Sequence, residues 1–157
     1  MAPPVVLVHG FGTSFELTWV TNGWVDLLGD EGRDVIGVDL LGHGRAPKPT
    51  DPGAYDDLGT RVVEALPGEG PVDAVDFSLG AKTLLKVAAA SPHRFRSLVV
   101  AGVGANLFRD TDHSAIVEAV RTGQDGDNPA LRYFAGPTCR ATTARRWRRA
   151  CPTAAGG

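Results

Sequence analysis

The sequence predicts an α/β protein: a parallel sheet of about four strands with helices on both faces, followed by a disordered or irregular C-terminal tail. Three observations lead there. Short apolar runs alternate with stretches of helical pitch from Val5 to Ala101. The first runs are rich in β-branched residues and do not alternate with polar ones, the pattern of strands buried on both faces. Each of the first three runs breaks off at a polar residue beside glycine: His9-Gly10, Asp39 before Gly42, and Ser78 before Gly80.

In chain order, Val5–Val8 reads as the first strand, and His9-Gly10-Phe11-Gly12 as a loop whose glycines permit close backbone approach. Residues 19–28 carry apolar side chains at Val20, Trp24, Leu27 and Leu28, predicting one amphipathic helix that stops near Gly29 to Gly32. Val35–Val38 is the second strand and ends at Asp39. Leu40-Leu41-Gly42-His43-Gly44-Arg45 then forms a glycine-rich loop, kept irregular by Pro47, Pro49 and Pro52. A second helix spans residues 55–66, with Leu58, Val62, Ala65 and Leu66 on one face. Residues 72–77 form the third strand, 79–90 the third helix and 98–101 the fourth strand. Strands and helices of these lengths imply right-handed crossovers.

Composition narrows the class of partner. At 157 residues the chain is long enough to bury roughly 70% of its unfolded surface. It is 43% hydrophobic and 22% charged with net charge −2, a balance that points to no nucleic-acid partner and no membrane. No apolar run approaches the ~20 residues of a membrane-spanning helix. The N-terminus lacks a basic leader and runs straight into a strand, so a cytoplasmic location is expected. Cys139 and Cys151 fit no metal spacing and would stay reduced there. No metal or organic cofactor is implied.

Ser78 is the residue around which the chemistry gathers. Strand, abrupt turn and helix follow one another across Val72–Leu84, with the hydroxyl at the tip and the N–H groups of the next helix beside it. The simpler alternative is a serine that only caps the helix. HGFG after the first strand, DLLGHG after the second and FSLGA after the third together resemble the α/β-hydrolase superfamily, its serine-nucleophile branch. The resemblance covers about Pro4 to Asn106, with the four strands similar to the third to sixth of that family's eight. It implies that Ser78 is the nucleophile and that the backbone N–H groups of Phe11 and Leu79 form an oxyanion hole. Gly10, Phe11 and Gly12 would border the substrate. It implies hydrolysis of a small acyl substrate: an ester, thioester, lactone or activated C–C bond. Serine, rather than aspartate, argues against the dehalogenase and epoxide hydrolase branches.

Two features depart from the family's pattern. Asp76 stands two residues before the serine, where G-x-S-x-G has a small residue, and brings a carboxylate into a crowded place. The second is the absence of an identifiable acid and histidine downstream. His9 and His43 sit in loop motifs and read as backbone-shaping residues. His93 follows the third helix and reads as exposed; His113 alone would be able to swing over the site. Asp110 and Asp112 read as helix N-terminal charges. Phe11, Phe15, Trp19 and Phe108 suggest either an apolar pocket or core packing.

The expected organisation is an incomplete hydrolase core over residues 1–109, the start of a helical cap over 110–135, and a basic tail over 136–157. That tail has five arginines, no acid, and no Val, Ile, Leu or Phe. It cannot supply a core strand. It reads as a basic arm for an anionic partner or, in preference, as GC-rich coding sequence out of frame, so that the chain is a C-terminally truncated hydrolase. Three functions are therefore weighed: a serine hydrolase impaired by missing charge-relay partners, a non-catalytic small-ligand binding module, and a fragment needing a complementing chain. In the last, the fourth strand would leave an apolar edge open to self-association.

Overall fold

A computed structural model describes residues 2–108, 112–136 and 139. Most of the basic tail, with Cys151, Asp110 and the five arginines, lies outside the described residues. Cys139 is buried. Four parallel strands, β1 (Val5–Val8), β2 (Val35–Val38), β3 (Val72–Phe77) and β4 (Phe95–Ala101), lie in the order β2-β1-β3-β4. β1 is inside the sheet, and all four of its residues are buried. That is why its sequence is apolar without alternation.

One face is covered by α2 (Gly59–Ala65) and α3 (Leu79–Ala90). There Val6, Val8, Val38, Val62, Val72, Ala74, Leu84 and Val87 form the larger core, with Leu58, Ala65 and Leu66 packed against it as the periodicity predicts. The opposite face carries a smaller core of Val5, Leu7 and Trp19, closed by Phe15, Val25 and Leu28.

The predicted helix over residues 19–28 is two elements instead. A π-helical turn spans Glu16–Val20, and α1 begins only at Trp24, after Gly23 at φ 77°. The break rotates the apolar face. Trp19, Val25 and Leu28 pack inward, while Trp24 and Leu27 are left 47% and 54% exposed. A 3-10 turn at Pro52–Tyr55 also separates off the start of the predicted second helix. β4 begins three residues earlier than expected, at Phe95. It is an edge strand with Val99 56% and Val100 38% exposed.

This strand order places the site. β1 leads outward to β2, and the chain then crosses back to put β3 on the other side of β1. The winding reverses between β1 and β3, and crevices in open parallel sheets form beyond the strand ends at such a reversal. Those two strand ends carry HGFG and Ser78. Residues expected to begin a cap form α4 (Ser114–Thr122) and the short α5 (Arg132–Ala135). These pack towards HGFG through Ile116, Val120 and Phe134, which cluster with Cys139 around Phe11.

Candidate active site

Ser78 joins β3 to α3 with φ 55° and ψ −107°. A positive φ on a non-glycine residue is sterically unfavourable, of order 1–3 kcal/mol, and persists only where the surroundings enforce it. Here they do. The Ser78 N–H donates to the Ala101 carbonyl at 2.9 Å, extending the β3–β4 ladder to the tip of the turn. Gly80, the second residue of α3, crosses the end of β1 so closely that a Cβ there would lie 2.6 Å from the His9 carbonyl oxygen and 2.8 Å from that of Val8. Only glycine permits this approach, and it brings the HGFG loop against the serine. A Cβ on Gly10 would meet Ser78 Cβ at 3.4 Å. The hydroxyl does not cap α3, so the capping alternative is not what the geometry shows. As the first residue of α3, Leu79 has an N–H with no earlier helical carbonyl to bind.

Two buried histidines hold the HGFG loop to the DLLGHG loop. His9 donates from Nδ1 to the Gly10 carbonyl at 2.7 Å and accepts the Leu40 N–H on Nε2 at 3.1 Å. His43 donates from Nδ1 to the Leu41 carbonyl at 3.1 Å and accepts the Gly12 N–H on Nε2 at 3.2 Å. Each ring thus has one donor and one acceptor nitrogen in use, which is the neutral form. Burial lowers both pKa values, His43 to about 4, where the nearby His9 lowers it further. For His9, the Gly10 carbonyl and the Asp39 carboxylate 3.5 Å away pull upward without offsetting burial. Asp39 is itself engaged, accepting the N–H groups of Phe15 and Arg45, each at 2.8 Å. These histidines organise backbone, as the sequence suggested.

Asp76 is the exception. It is 0% exposed and, among the described residues, neither oxygen has a hydrogen-bond partner. Burial pushes its carboxyl up to about 6, and the Ala101 backbone N–H is only a partial counterweight, short of a hydrogen bond.

The other expected residues are dispersed. His93 and His113 are exposed, and among the described residues no histidine or carboxylate is hydrogen-bonded to the Ser78 hydroxyl. Asp112 accepts the Ser114 N–H at 2.8 Å at the start of α4. Trp19 and Phe15 belong to the core, and Phe108 is 85% exposed. Phe11 alone of the four aromatics stays at the site, with ring centroids 5.5 Å from His43 and 5.9 Å from Phe134. Sequence reading missed Tyr133, whose hydroxyl donates to the Gly12 carbonyl at 3.2 Å. No local pattern marks a contact 121 residues away. Among the described residues no group of three or more His, Cys, Asp or Glu could hold a metal ion, and no helix is long and apolar enough to cross a membrane.

A doubly covered parallel sheet with a strained serine turn at its winding reversal defines a class of α/β enzyme folds. Within it, this chain belongs to the alpha/beta hydrolase fold family, whose profile matches residues 3–136. It is 36% identical over 104 residues to the dihydrolipoyllysine-residue acetyltransferase component of the acetoin cleaving system of Pseudomonas putida, covering 64% of this chain and 27% of that protein. It is 31% identical over 147 residues to a mouse (lyso)-N-acylphosphatidylethanolamine lipase, covering 85% of this chain and 42% of the lipase. The chain therefore spans well under half the length of either relative. Among solved structures, NosK from Streptomyces actuosus superposes with a TM-score of 0.66 at 25% identity, over 96% of this chain and 62% of NosK.

Proposed function

We propose that the chain carries the nucleophile and oxyanion hole of a serine hydrolase acting on esters or similar acyl compounds. The observation that carries this reading is the strained Ser78 turn at the end of β3, pressed against Gly10 of the HGFG loop. A relative named as a lipase supports the acyl class of substrate.

In the reaction, Ser78 Oγ would bond to the acyl carbon. The carbonyl π electrons move to oxygen, the hydroxyl proton passes to a base, and collapse expels the alcohol or thiol; water then repeats the sequence to release the acid. Two N–H groups, of Phe11 and Leu79, would take the oxyanion, each worth about 3 kcal/mol in the barrier. Gly10 and Gly12 let that loop pack tightly, Gly10 against Phe77 and Ser78 and Gly12 against Cys139. The base is the missing part. With no histidine on Ser78 among the described residues, hydrolysis would be slow, of the order of 10³–10⁴ over water, the residual left when a triad is removed. That same observation favours a second reading, a pocket that holds an acyl ligand without turnover.

A simple arylboronic acid tests the site, because boron takes the tetrahedral geometry of the adduct without needing turnover. The expected result is a tetrahedral boron signal by ¹¹B NMR that Ser78→Ala abolishes. A fluorophosphonate then separates the readings. Labelling mapped to Ser78 supports the hydrolase, and a boronate adduct without labelling supports the binding module. If neither reagent reacts at Ser78, both are wrong.

A further inference from the structure

We infer that His43 and Tyr133 are positioning residues that clamp the two peptides flanking Gly12, one by its N–H and the other by its carbonyl, and so hold the oxyanion loop in register with Ser78. This rests on the reading of Ser78 as nucleophile.

Gly12 is buried and has φ 73°, a conformation that only glycine adopts freely. The same freedom lets its flanking peptides rotate, so this segment needs external constraint if it is to present an N–H at a fixed point. Both polar groups of Gly12 are held by side chains far along the chain. Its N–H goes to His43 Nε2 at 3.2 Å, and its carbonyl receives the Tyr133 hydroxyl at 3.2 Å. His43 can accept there because its Nδ1 is committed to the Leu41 carbonyl. Turning the Phe11–Gly12 peptide over would set the Phe11 carbonyl oxygen against the lone pair of Nε2.

Steric contacts reinforce the clamp. The Phe11 ring sits edge-on to His43, with Phe134 of α5 on another side, and Cys139 occupies the space a Gly12 Cβ would need. The loop that would bind the oxyanion is thus tied both to the β2 loop and to α5. A displacement of α5 would draw on the Gly12 carbonyl directly.

The test uses ¹⁵N-labelled full-length protein and the boronic acid above. A scalar coupling across the Gly12 N–H···Nε2 bond is expected in the native protein. His43→Leu is expected to lose that coupling and to weaken the boronate adduct about tenfold, the equivalent of ~1.4 kcal/mol. His43→Gln, which restores an acceptor, should recover the affinity to within about threefold. Tyr133→Phe removes one hydroxyl at a half-exposed position and should weaken the adduct about threefold without moving the thermal midpoint. If His43→Leu does not fold, Tyr133→Phe decides alone. Unchanged boronate affinity in the folded variants overturns the clamp, whatever their stability. No adduct in the native protein overturns the reading of Ser78, and the clamp's role with it; the coupling then shows separately that the bond itself exists.

Discussion

β3 carries two aspartates three residues apart, and the two ends of the strand treat them in opposite ways. At its start, Asp73 is 8% exposed and bound by two arginines. It accepts Arg96 Nε on Oδ1 at 2.8 Å and Arg33 Nη2 on Oδ2 at 2.5 Å. The Arg96 and Arg33 hydrogen bonds hold its carboxyl down to about 2 despite burial. At the strand's end, Asp76 is fully buried, has no hydrogen-bond partner among the described residues, and is pushed up to about 6 by burial. Two buried carboxyls on one strand are thus shifted in opposite directions, one by its arginines and the other by desolvation. The end away from the serine pairs its acid with two arginines; the end under the serine carries an acid without a hydrogen-bond partner among the described residues.

The sharpest way to break this comparison is Gly80→Ala. The new methyl would fall on two backbone carbonyl oxygens of β1 and the HGFG loop, neither of which can yield without disturbing the ladder. A loss of more than about 3 kcal/mol in urea unfolding is expected, together with loss of the boronate adduct. A normal stability would show that the serine end is loosely packed.

Asp73→Ala comes next. It strands two guanidiniums beside the edge of the sheet, one of them partly buried, and should cost about 2 kcal/mol. Because the folded pKa is depressed below the unfolded 3.8, the native contribution is full above that value and lost as pH falls towards 2. The difference between variant and native stability should shrink in acid.

Asp76→Ala should act in the other direction and less strongly. Its folded pKa is raised, so the native protein loses stability as pH rises from about 4 through 6. At pH 8 the variant is expected to be more stable by about 1–2 kcal/mol, since removing an unpaired buried charge outweighs a small cavity. Near pH 4 the gain should vanish. A loss of stability at pH 8 would mean that Asp76 has a partner in solution and would place the two ends of β3 on the same footing.

Much of this was legible in the sequence. The bounds of β1, β2, β3 and α3 were legible: β1 as an apolar run without alternation, because it is buried on both faces, and β3 by its apolar residues despite Asp73 and Asp76. The serine turn and its two loops were legible because glycine next to a polar residue at a strand end is a steric requirement written locally. The break before α1 was not, since Gly23 looks like one more polar-turn residue inside a plausible helical pitch. The state of Asp76 was visible as a conflict, but whether it had a partner depended on what β4 offered.

By itself, then, the order of residues determined the layered α/β architecture, the position of Ser78 and the glycines that let two loops approach it, because each depends on neighbours within a turn or a strand. Only the tertiary structure decided that His9 and His43 are neutral acceptors of backbone N–H groups, that Tyr133 reaches Gly12, and that Asp73 and Asp76 differ. Protonation and hydrogen bonding depend on which distant groups share a buried space, and that information appears only when the chain has closed around it.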